Sequence, residues 1–423
     1  MKSEKYPVRL YSILLFLLVA VGMLSSCGSG KRISRKGELI PGKYFSGVLL
    51  YDPESRDTLV SLNASHYFTP ASTLKLFTLY VANEVLPDSA PTLYYAETQR
   101  NLYIKPAANP AFLHDSLPDA TFAFLEKSKK DIIVVADTLS DFKYGYGWQW
   151  DDFEFYYMPE KSLFPLYGNL VRLYPDGHIV PSYFQSQVRE SHPLGFARDF
   201  DANVFYLNGH EQVQKIPFIT SPGLSAQLLS DTLHRPVFSG SLPENVVLRP
   251  YVSTPLIPVY KRLMDESENF IAEQLMLMVA REKTGVYRVG DAIRYALDSL
   301  LSELPDPPRW VDGSGLSRYN MFTPADMVYL LDKMYREWGR EKVFSLLPFN
   351  GKEGKLYHWY PSETKFVYAK TGSLSNHHNL CGYLVAKSGK VLIFSIMNNN
   401  FTLPSKQVKE RINRILKRWY EKY

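Results

Sequence analysis

The sequence predicts an α+β fold in which an antiparallel sheet flanked by helices is interrupted by a mostly β inserted region. Strand-like and helical segments alternate near both ends of the chain, whereas residues 88–250 carry frequent turn signals, many aromatic residues and short β-type runs. With 423 residues, of which 45% are hydrophobic and 22% charged, the chain can bury a large core. We therefore assign residues 42–87 and 251–423 to one core domain and residues 88–250 to the insertion.

The first 26 residues are typical of a bacterial lipoprotein signal peptide. Basic residues are followed by the apolar stretch 13–24, which is too short to span a bilayer comfortably, and then by Leu-Ser-Ser-Cys ending at Cys27. The alternatives are an ordinary signal peptide with an incidental cysteine and an N-terminal anchor helix. We expect lipidation of Cys27, a tether over residues 27–41 and a location in the cell envelope. Gly28 favours the outer membrane facing the periplasm, by similarity to the sorting of other lipoproteins.

Charge and cysteine content exclude several classes of protein. The 48 basic and 43 acidic residues give a formal charge of only +5, and basic residues are not clustered in long runs, which argues against a nucleic-acid partner. Two cysteines are too few for a disulfide scaffold or a cysteine-based zinc site. Adjacent histidines on a strand point to opposite faces, and no third ligand accompanies His377 and His378, so we predict no metal site.

Hydrophobic periodicity and turn chemistry define the core elements in order. A predicted hairpin of strands 45–51 and 58–62 is followed by a helix with Thr69 as its N-cap and Pro70 as its first residue, ending near Val85. The other predicted helices are residues 269–281, 289–301, 323–336 and 405–419, and the other predicted core strands are residues 366–371, 379–385 and 391–397.

Three short motifs carry the candidate chemistry. In chain order they are Ser-x-x-Lys at Ser72 and Lys75, Ser-x-Asn at Ser267 and Asn269, and Lys-Thr-Gly at Lys370, Thr371 and Gly372. Each motif is common by chance. The ordered set, with each motif in its required secondary structure, is typical of penicillin-binding proteins and class A β-lactamases.

Physical chemistry accounts for the first motif independently. Positions i and i+3 share a helix face, so Lys75 can reach the hydroxyl of Ser72. A serine needs an adjacent base to become a good nucleophile. A desolvated lysine near other cations can stay neutral and take that proton, while the start of the helix favours a developing oxyanion.

The other two motifs supply groups that such a reaction needs. Ser267 offers a hydroxyl that can relay the proton to the leaving amine, and Asn269 offers an amide that can hold both Lys75 and a substrate carbonyl. The cation of Lys370 and the hydroxyl of Thr371 suit a terminal carboxylate.

The end of the Lys-Thr-Gly strand is suited to a bound peptide. Gly372 lets the strand edge come close to a peptide, and Ser373 then presents a backbone N–H group.

Further segments make the sequence similar to the class C low-molecular-mass penicillin-binding proteins, a family of D-alanyl-D-alanine carboxypeptidases and endopeptidases. The similar segments are residues 312–318 (Asp-Gly-Ser-Gly-Leu-Ser-Arg), 267–274, 369–374, 379–383 and 146–152. The resemblance implies a serine β-lactamase/DD-peptidase-like fold. It implies that Ser72 is acylated, that Lys75 is its base, and that the N–H groups of Ser72 and Ser373 form the oxyanion hole. It also implies that Arg318 faces the cleft, while residues 312–318 could equally be a structural turn.

The leading hypothesis is a penicillin-sensitive serine DD-peptidase that needs no cofactor. It would remove terminal D-Ala from peptidoglycan stem peptides, or hydrolyse the cross-links between them, through an acyl-enzyme on Ser72. β-Lactams would act as acylating inhibitors, and the lipid anchor would hold the enzyme at a membrane. The alternatives are a serine β-lactamase, which requires fast deacylation, and a catalytically inactive peptidoglycan-binding lipoprotein.

Overall fold

The computed structural model describes residues 44–135 and 137–423, which contain both strands and helices. The strands are β1 Phe45–Asp52, β2 Asp57–Leu62, β3 Ser89–Glu97, β4 Asn101–Pro106, β5 Asp131–Val135, β6 Leu170–Leu173, β7 Ile179–Val180, β8 Val188–Arg189, β9 Phe205–Tyr206, β10 Gln214–Pro217, β11 Val237–Gly240, β12 Arg249–Pro255, β13 Val367–Leu374, β14 His377–Val385 and β15 Val391–Asn399. The α-helices are α1 Lys75–Val85, α2 Thr121–Lys127, α3 Pro222–Leu233, α4 Leu256–Asp265, α5 Asn269–Thr284, α6 Val289–Tyr295, α7 Pro324–Leu346 and α8 Ser405–Lys422.

The core sheet has the strand order β13-β14-β15-β1-β2, and all its neighbouring strands are antiparallel. Almost every residue of β14 and β15 is buried, which shows that elements cover both faces of the sheet. Helices α7 and α8 pack against it, and α1 packs against α5. Residues 269–280 of α5 are buried without a break, so this helix runs through the core rather than along the surface. The α+β prediction is confirmed.

The polypeptide between α1 and α4 builds further sheets around a second hydrophobic core. One sheet has the order β11-β5-β4-β3-β12, and a smaller antiparallel sheet has the order β10-β6-β7. Leu93, Ile132, Val171 and Ile216 are among the residues of this second core. The helices α2 and α3 also belong to this region. The boundaries 88–250 of the insertion stay a prediction.

The start of the first helix differs from the prediction. A 3₁₀ turn, Ala71–Leu74, precedes α1, and Thr69 does not cap it. The Thr69 carbonyl instead accepts hydrogen bonds from the side chains of Asn379 and Asn399, at 2.9 and 3.3 Å. The Thr69 prediction is wrong because these sheet residues bind the backbone before the turn, and a local capping pattern cannot reveal such a long-range contact.

The predicted signal peptide, Cys27 and the tether lie outside the described residues. In the part of the chain that the structure describes, no helix is both long and apolar enough to cross a membrane.

Candidate active site

The 3₁₀ turn brings Ser72 to the wall of a cleft of about 790 Å³. Ala71, which comes just before Ser72, has a positive φ of 49°, so the chain bends sharply where it enters the turn. Gly315 lies against this bend. A β carbon at Gly315 would come within 2.0 Å of the Ala71 carbonyl oxygen, so only glycine permits the contact. The turn has no side-chain cap at its N-terminus, and the packing of Gly315 against Ala71 helps to hold its conformation.

Lys75 is completely buried and makes three hydrogen bonds. Its Nζ lies 3.0 Å from Ser72 Oγ, 2.6 Å from Asn269 Oδ1 and 2.7 Å from the carbonyl oxygen of Ser314. Burial, followed by repulsion from Lys370, holds the pKa of Lys75 well below its usual value. A neutral amine has two N–H bonds and one lone pair. Asn269 Oδ1 and the carbonyl oxygen of Ser314 can only accept, so they take the two N–H bonds, and the lone pair is left for the proton of Ser72.

The Ser-x-Asn motif joins helices α4 and α5. Ser267 has a φ of 61° in this connection and lines the cleft, while Asn269 is the first residue of α5. The Asn269 side chain donates through Nδ2 to the Tyr157 carbonyl at 2.9 Å. This bond fixes which end of the amide faces Lys75, so Asn269 is aligned by the inserted region as well as by the core.

The Lys-Thr-Gly strand β13 is an edge strand of the core sheet. Val367 donates to Asn350 Oδ1 at 3.0 Å, and Ala369 donates to the Pro348 carbonyl at 2.9 Å, so both N–H groups point away from β14. In an antiparallel strand the N–H and C=O groups of successive residues point to alternate sides, so those of Thr371 and Ser373 also point away from β14. Residues 348–350 pair with the strand only at Val367 and Ala369, and so leave Thr371 and Ser373 uncovered. The N–H and C=O groups of these two residues are therefore presented to the cleft.

Gly372 brings this strand edge next to the turn that carries Ser72. A β carbon at Gly372 would lie 2.5 Å from the Pro70 carbonyl oxygen and 3.0 Å from the Ser72 nitrogen. Because Ser373 is the next residue of the strand, this close approach sets its backbone beside that of Ser72. The N–H groups of Ser72 and Ser373 are thus brought to the same part of the cleft, as an oxyanion hole requires.

Lys370 lies behind Thr371 rather than in the cleft itself. It is 1% exposed, and its Nζ donates to the Thr371 carbonyl at 3.2 Å. Burial lowers the pKa of Lys370 to about 7, and Asp265 only partly opposes that shift. A carboxylate in the cleft would meet Thr371 directly and would favour the charged form of Lys370.

The loop of residues 312–318 supports the site. Asp312 accepts hydrogen bonds from the backbone N–H groups of Gly315 and Ser317, at 2.8 and 2.7 Å, and from the side chain of Trp148 at 2.9 Å. These bonds make most of the loop a structural turn, whose Ser314 carbonyl is aimed at Lys75. Trp148 is half-buried where it donates to this loop.

Arg318 lies at the end of this loop and lines the cleft, as predicted from the resemblance. Its Nε donates to Gln149 Oε1 at 3.2 Å, and its Nη1 donates to the Ser375 carbonyl at 3.4 Å. The guanidinium is therefore held between the inserted region and the turn that follows β13.

Two supporting residues were not found from the sequence. Glu273 Oε1 accepts from the Ser314 N–H at 2.8 Å, and its Oε2 has no hydrogen-bond partner among the described residues. Burial, followed by repulsion from Asp312, raises the pKa of Glu273 to about 7. Glu273 is four residues after Asn269 on α5, so helical spacing could have placed it on the same face.

His378 is the second such residue. Its Nδ1 lies 2.7 Å from Ser373 Oγ and its Nε2 lies 2.7 Å from the Tyr360 hydroxyl. Burial, followed by repulsion from Lys409, lowers its pKa to about 3, so a neutral imidazole links the two hydroxyls. His378 is directly opposite Ser373 in the β13–β14 register, which a correct hairpin register would have indicated.

Known proteins are similar to this chain over most of its length. Residues 34–173 and 229–423 match the model of the D-Ala-D-Ala carboxypeptidase 3 (S13) family. The chain is 23% identical over 414 residues to the D-alanyl-D-alanine carboxypeptidase DacB of Haemophilus influenzae, covering 84% of this chain and 85% of that protein.

Solved structures are similar over a comparable share of the chain. The crystal structure of penicillin binding protein 4 from Haemophilus influenzae has a TM-score of 0.75 and 21% identity, covering 90% of this chain and 98% of that one. A penicillin G-acylated predatory endopeptidase of Bdellovibrio bacteriovorus, in complex with an immunity protein, has a TM-score of 0.52 and 15% identity, covering 89% of this chain and 93% of that one. These likenesses show the fold and confirm its prediction.

Proposed function

Because the chain belongs to the D-Ala-D-Ala carboxypeptidase 3 (S13) family, we propose that Ser72 is the acylated nucleophile of this serine-type DD-peptidase. The observation that carries the assignment is the bridge made by the buried Lys75 Nζ between Ser72 Oγ and Asn269 Oδ1. It joins the first two motifs at hydrogen-bond distance and leaves Lys75 one acceptor site, which faces the hydroxyl.

Acylation would begin with proton transfer from Ser72 to Lys75. Ser72 Oγ would form a bond with the carbonyl carbon of the penultimate D-Ala, while the N–H groups of Ser72 and Ser373 stabilise the oxyanion. The C–N bond of the peptide would then break. The proton held by Lys75 would pass through the Ser267 hydroxyl to the nitrogen of the departing D-Ala, which leaves as a free amino acid.

Substrate binding would use the open part of the β13 edge. The substrate backbone would pair with the N–H and C=O groups of Thr371 and Ser373, and its terminal carboxylate would accept from the Thr371 hydroxyl near the charge of Lys370. Water would later attack the ester of Ser72 and release the enzyme. With a β-lactam, acylation opens the ring and loses no atoms, so the adduct retains the mass of the whole drug.

The test of this function uses the purified full chain with benzylpenicillin and, separately, with peptides and muropeptides. We expect an adduct of one intact drug molecule per chain by mass spectrometry, and release of D-Ala from a monomeric pentapeptide. Release of monomers from cross-linked dimers would add endopeptidase activity to the carboxypeptidase activity. Rapid loss of drug without an adduct would favour a β-lactamase, and neither an adduct nor any cleavage would favour a binding protein without activity.

We also propose that the mature chain is a lipoprotein of the cell envelope. The support is the sequence before and at Cys27, with its basic start, short apolar stretch and lipobox-like end. We expect the mature protein to begin with a lipid-modified Cys27, so the mass of its N-terminal peptide from bacterial membranes should exceed that of the unmodified peptide by the lipid. An N-terminal peptide that begins before Cys27, or carries no lipid, would contradict the proposal.

A further inference from the structure

Charged side chains from the inserted region and the core meet on one wall of the cleft that contains Ser72. We call them the cationic cluster, which consists of Arg172, Lys215 and Arg262 with the carboxylates Asp115 and Glu268. All five line the same cleft as the three motifs. None of them is required by the acylation chemistry described above.

Arg172 and Lys215 are direct cross-strand neighbours. They pair in the antiparallel register of β6 and β10, and the next pair, Val171 with Ile216, is buried in the second core. Side chains alternate between the faces of a sheet, so the two cations share the opposite face. Like charges directly opposite each other destabilise a sheet, so this pair has a cost that packing does not explain.

Asp115 offsets only part of this repulsion. Its Oδ2 lies 3.1 Å from both Arg172 Nη1 and Lys215 Nζ, so a single carboxylate oxygen serves both cations. Burial alone would raise the pKa of Asp115, but hydrogen bonds from Lys215 and Ser116 outweigh burial and hold the pKa well below its usual range. The two cations remain 27% and 42% exposed, so their other donors can reach a ligand in the cleft.

Arg262, the cation that the core domain contributes to the cluster, is bound to the Ser-x-Asn motif. Arg262 binds Glu268, the middle residue of Ser-x-Asn, and lies 3.9 Å from Asp115. His114 lies between the two carboxylates of the cluster, with its Nδ1 3.3 Å from Asp115 Oδ1 and its Nε2 3.2 Å from Glu268 Oε2. The five side chains of the cluster therefore carry three positive charges against two negative charges, and Glu268 connects the cluster to Asn269, the next residue of the chain.

We propose that Arg172 and Lys215 form a binding subsite for a substrate carboxylate remote from the scissile bond. This inference rests on the proposed function, since it concerns a second contact of the same peptide substrate. The cleft, at about 790 Å³, is large enough for a drug-sized ligand and extends well beyond a terminal dipeptide. Asp115 supplies one negative charge for the two positive charges of Arg172 and Lys215, so a substrate carboxylate placed between these side chains would neutralise the second positive charge.

The test replaces both cations by glutamine, as Arg172→Gln with Lys215→Gln. The substrate is a pentapeptide ending in D-Ala-D-Ala with one side-chain carboxylate upstream of the scissile bond, compared with the same peptide amidated at that carboxylate. We expect the wild type to prefer the charged peptide about tenfold through KM, and the double variant to lose that preference with kcat little changed.

Three controls distinguish damage to the fold from the loss of carboxylate binding at Arg172 and Lys215. Acylation by benzylpenicillin, which has no such upstream carboxylate, should be unchanged in the double variant, and this measurement tests Ser72 separately. The exchange Arg172→Lys with Lys215→Arg should restore the preference for the charged peptide. The double substitution Lys105→Gln with Lys130→Gln removes two cations of the same region that pair with Asp137 and Glu97, and it should retain the preference.

The source of the carboxylate is resolved by a second substrate, a cross-linked dimer of two stems. A preference for charge in the single-stem peptide would place the bound carboxylate on the same stem. A preference seen only with the dimer would place it on the second stem. Equal KM values for charged and amidated forms of both substrates in the wild type would overturn the proposal. So would a parallel loss of penicillin acylation and thermal stability in the double variant, which would make the cluster a structural link only.

Discussion

Replacing Ser72 by alanine is expected to abolish the covalent adduct with benzylpenicillin and to lower peptide turnover by a factor on the order of 10⁶. The reason is that Ser72 Oγ is the atom that Lys75 Nζ contacts at 3.0 Å, beside the backbone groups of Ser373. Without it there is no atom at this point to form the ester. The adduct is measured by intact mass and located by peptide mapping, and turnover is measured as D-Ala released.

The fold should survive this substitution. Alanine removes one hydrogen bond of Lys75, which contributes about 1 kcal/mol, so the free energy of unfolding should change little. Ser388→Ala, in an exposed turn, is the matched control and should retain full labelling. An adduct of normal stoichiometry in Ser72→Ala, mapped to another residue, would show that a different nucleophile carries the acyl group.

The sequence could predict those parts of the site whose geometry depends on residues close together in the chain. Ser72 and Lys75 are three residues apart, so a single turn of helix brings them together wherever the rest of the chain lies. The sequence singled out Gly372 as a point of close approach, but the approach it predicted was to a bound peptide. The structure shows instead that the backbone atoms of Pro70 and Ser72 leave no room there for a β carbon. Such features depend on spacing and on backbone geometry, which a sequence displays directly.

The parts that could not be predicted depend on long-range contacts. Ser314, whose carbonyl accepts from Lys75, is 239 residues away from it in the chain. A Gly-rich turn predicts a bend of the backbone but does not indicate which distant side chain its carbonyl groups will bind. The cross-strand pair of Arg172 and Lys215 depends on the register of β6 and β10, which short strands without clear alternation do not specify. The N-cap prediction for Thr69 was wrong for the same reason, because distant asparagines bind its carbonyl.

Replacing Lys75 by methionine is expected to slow acylation of Ser72 by about 10²–10⁴-fold, the range typical of losing a general base. Methionine has a similar length but cannot take the serine proton. The second-order rate constant of wild-type acylation reports the pKa values of the free enzyme. It should rise with pH as Lys75 becomes neutral, and for substrates with a carboxylate it should fall above a pH of about 7 as Lys370 loses its charge. The variant should lose the rising limb. Stopped-flow acylation across a pH series measures both limbs.

A second variant distinguishes the role of Lys75 as a base from an effect of its positive charge. Lys75→Arg keeps a cation beside Asn269 but stays protonated, so it should be slow at every pH if proton transfer is the role of Lys75. Lys333→Met, which removes a lysine of α7 that pairs with Glu337 on the surface, is the matched control and should follow the wild-type profile. If Lys75→Arg acylated as fast as the wild type, Lys75 would act through its positive charge, and another group would have to accept the proton of Ser72.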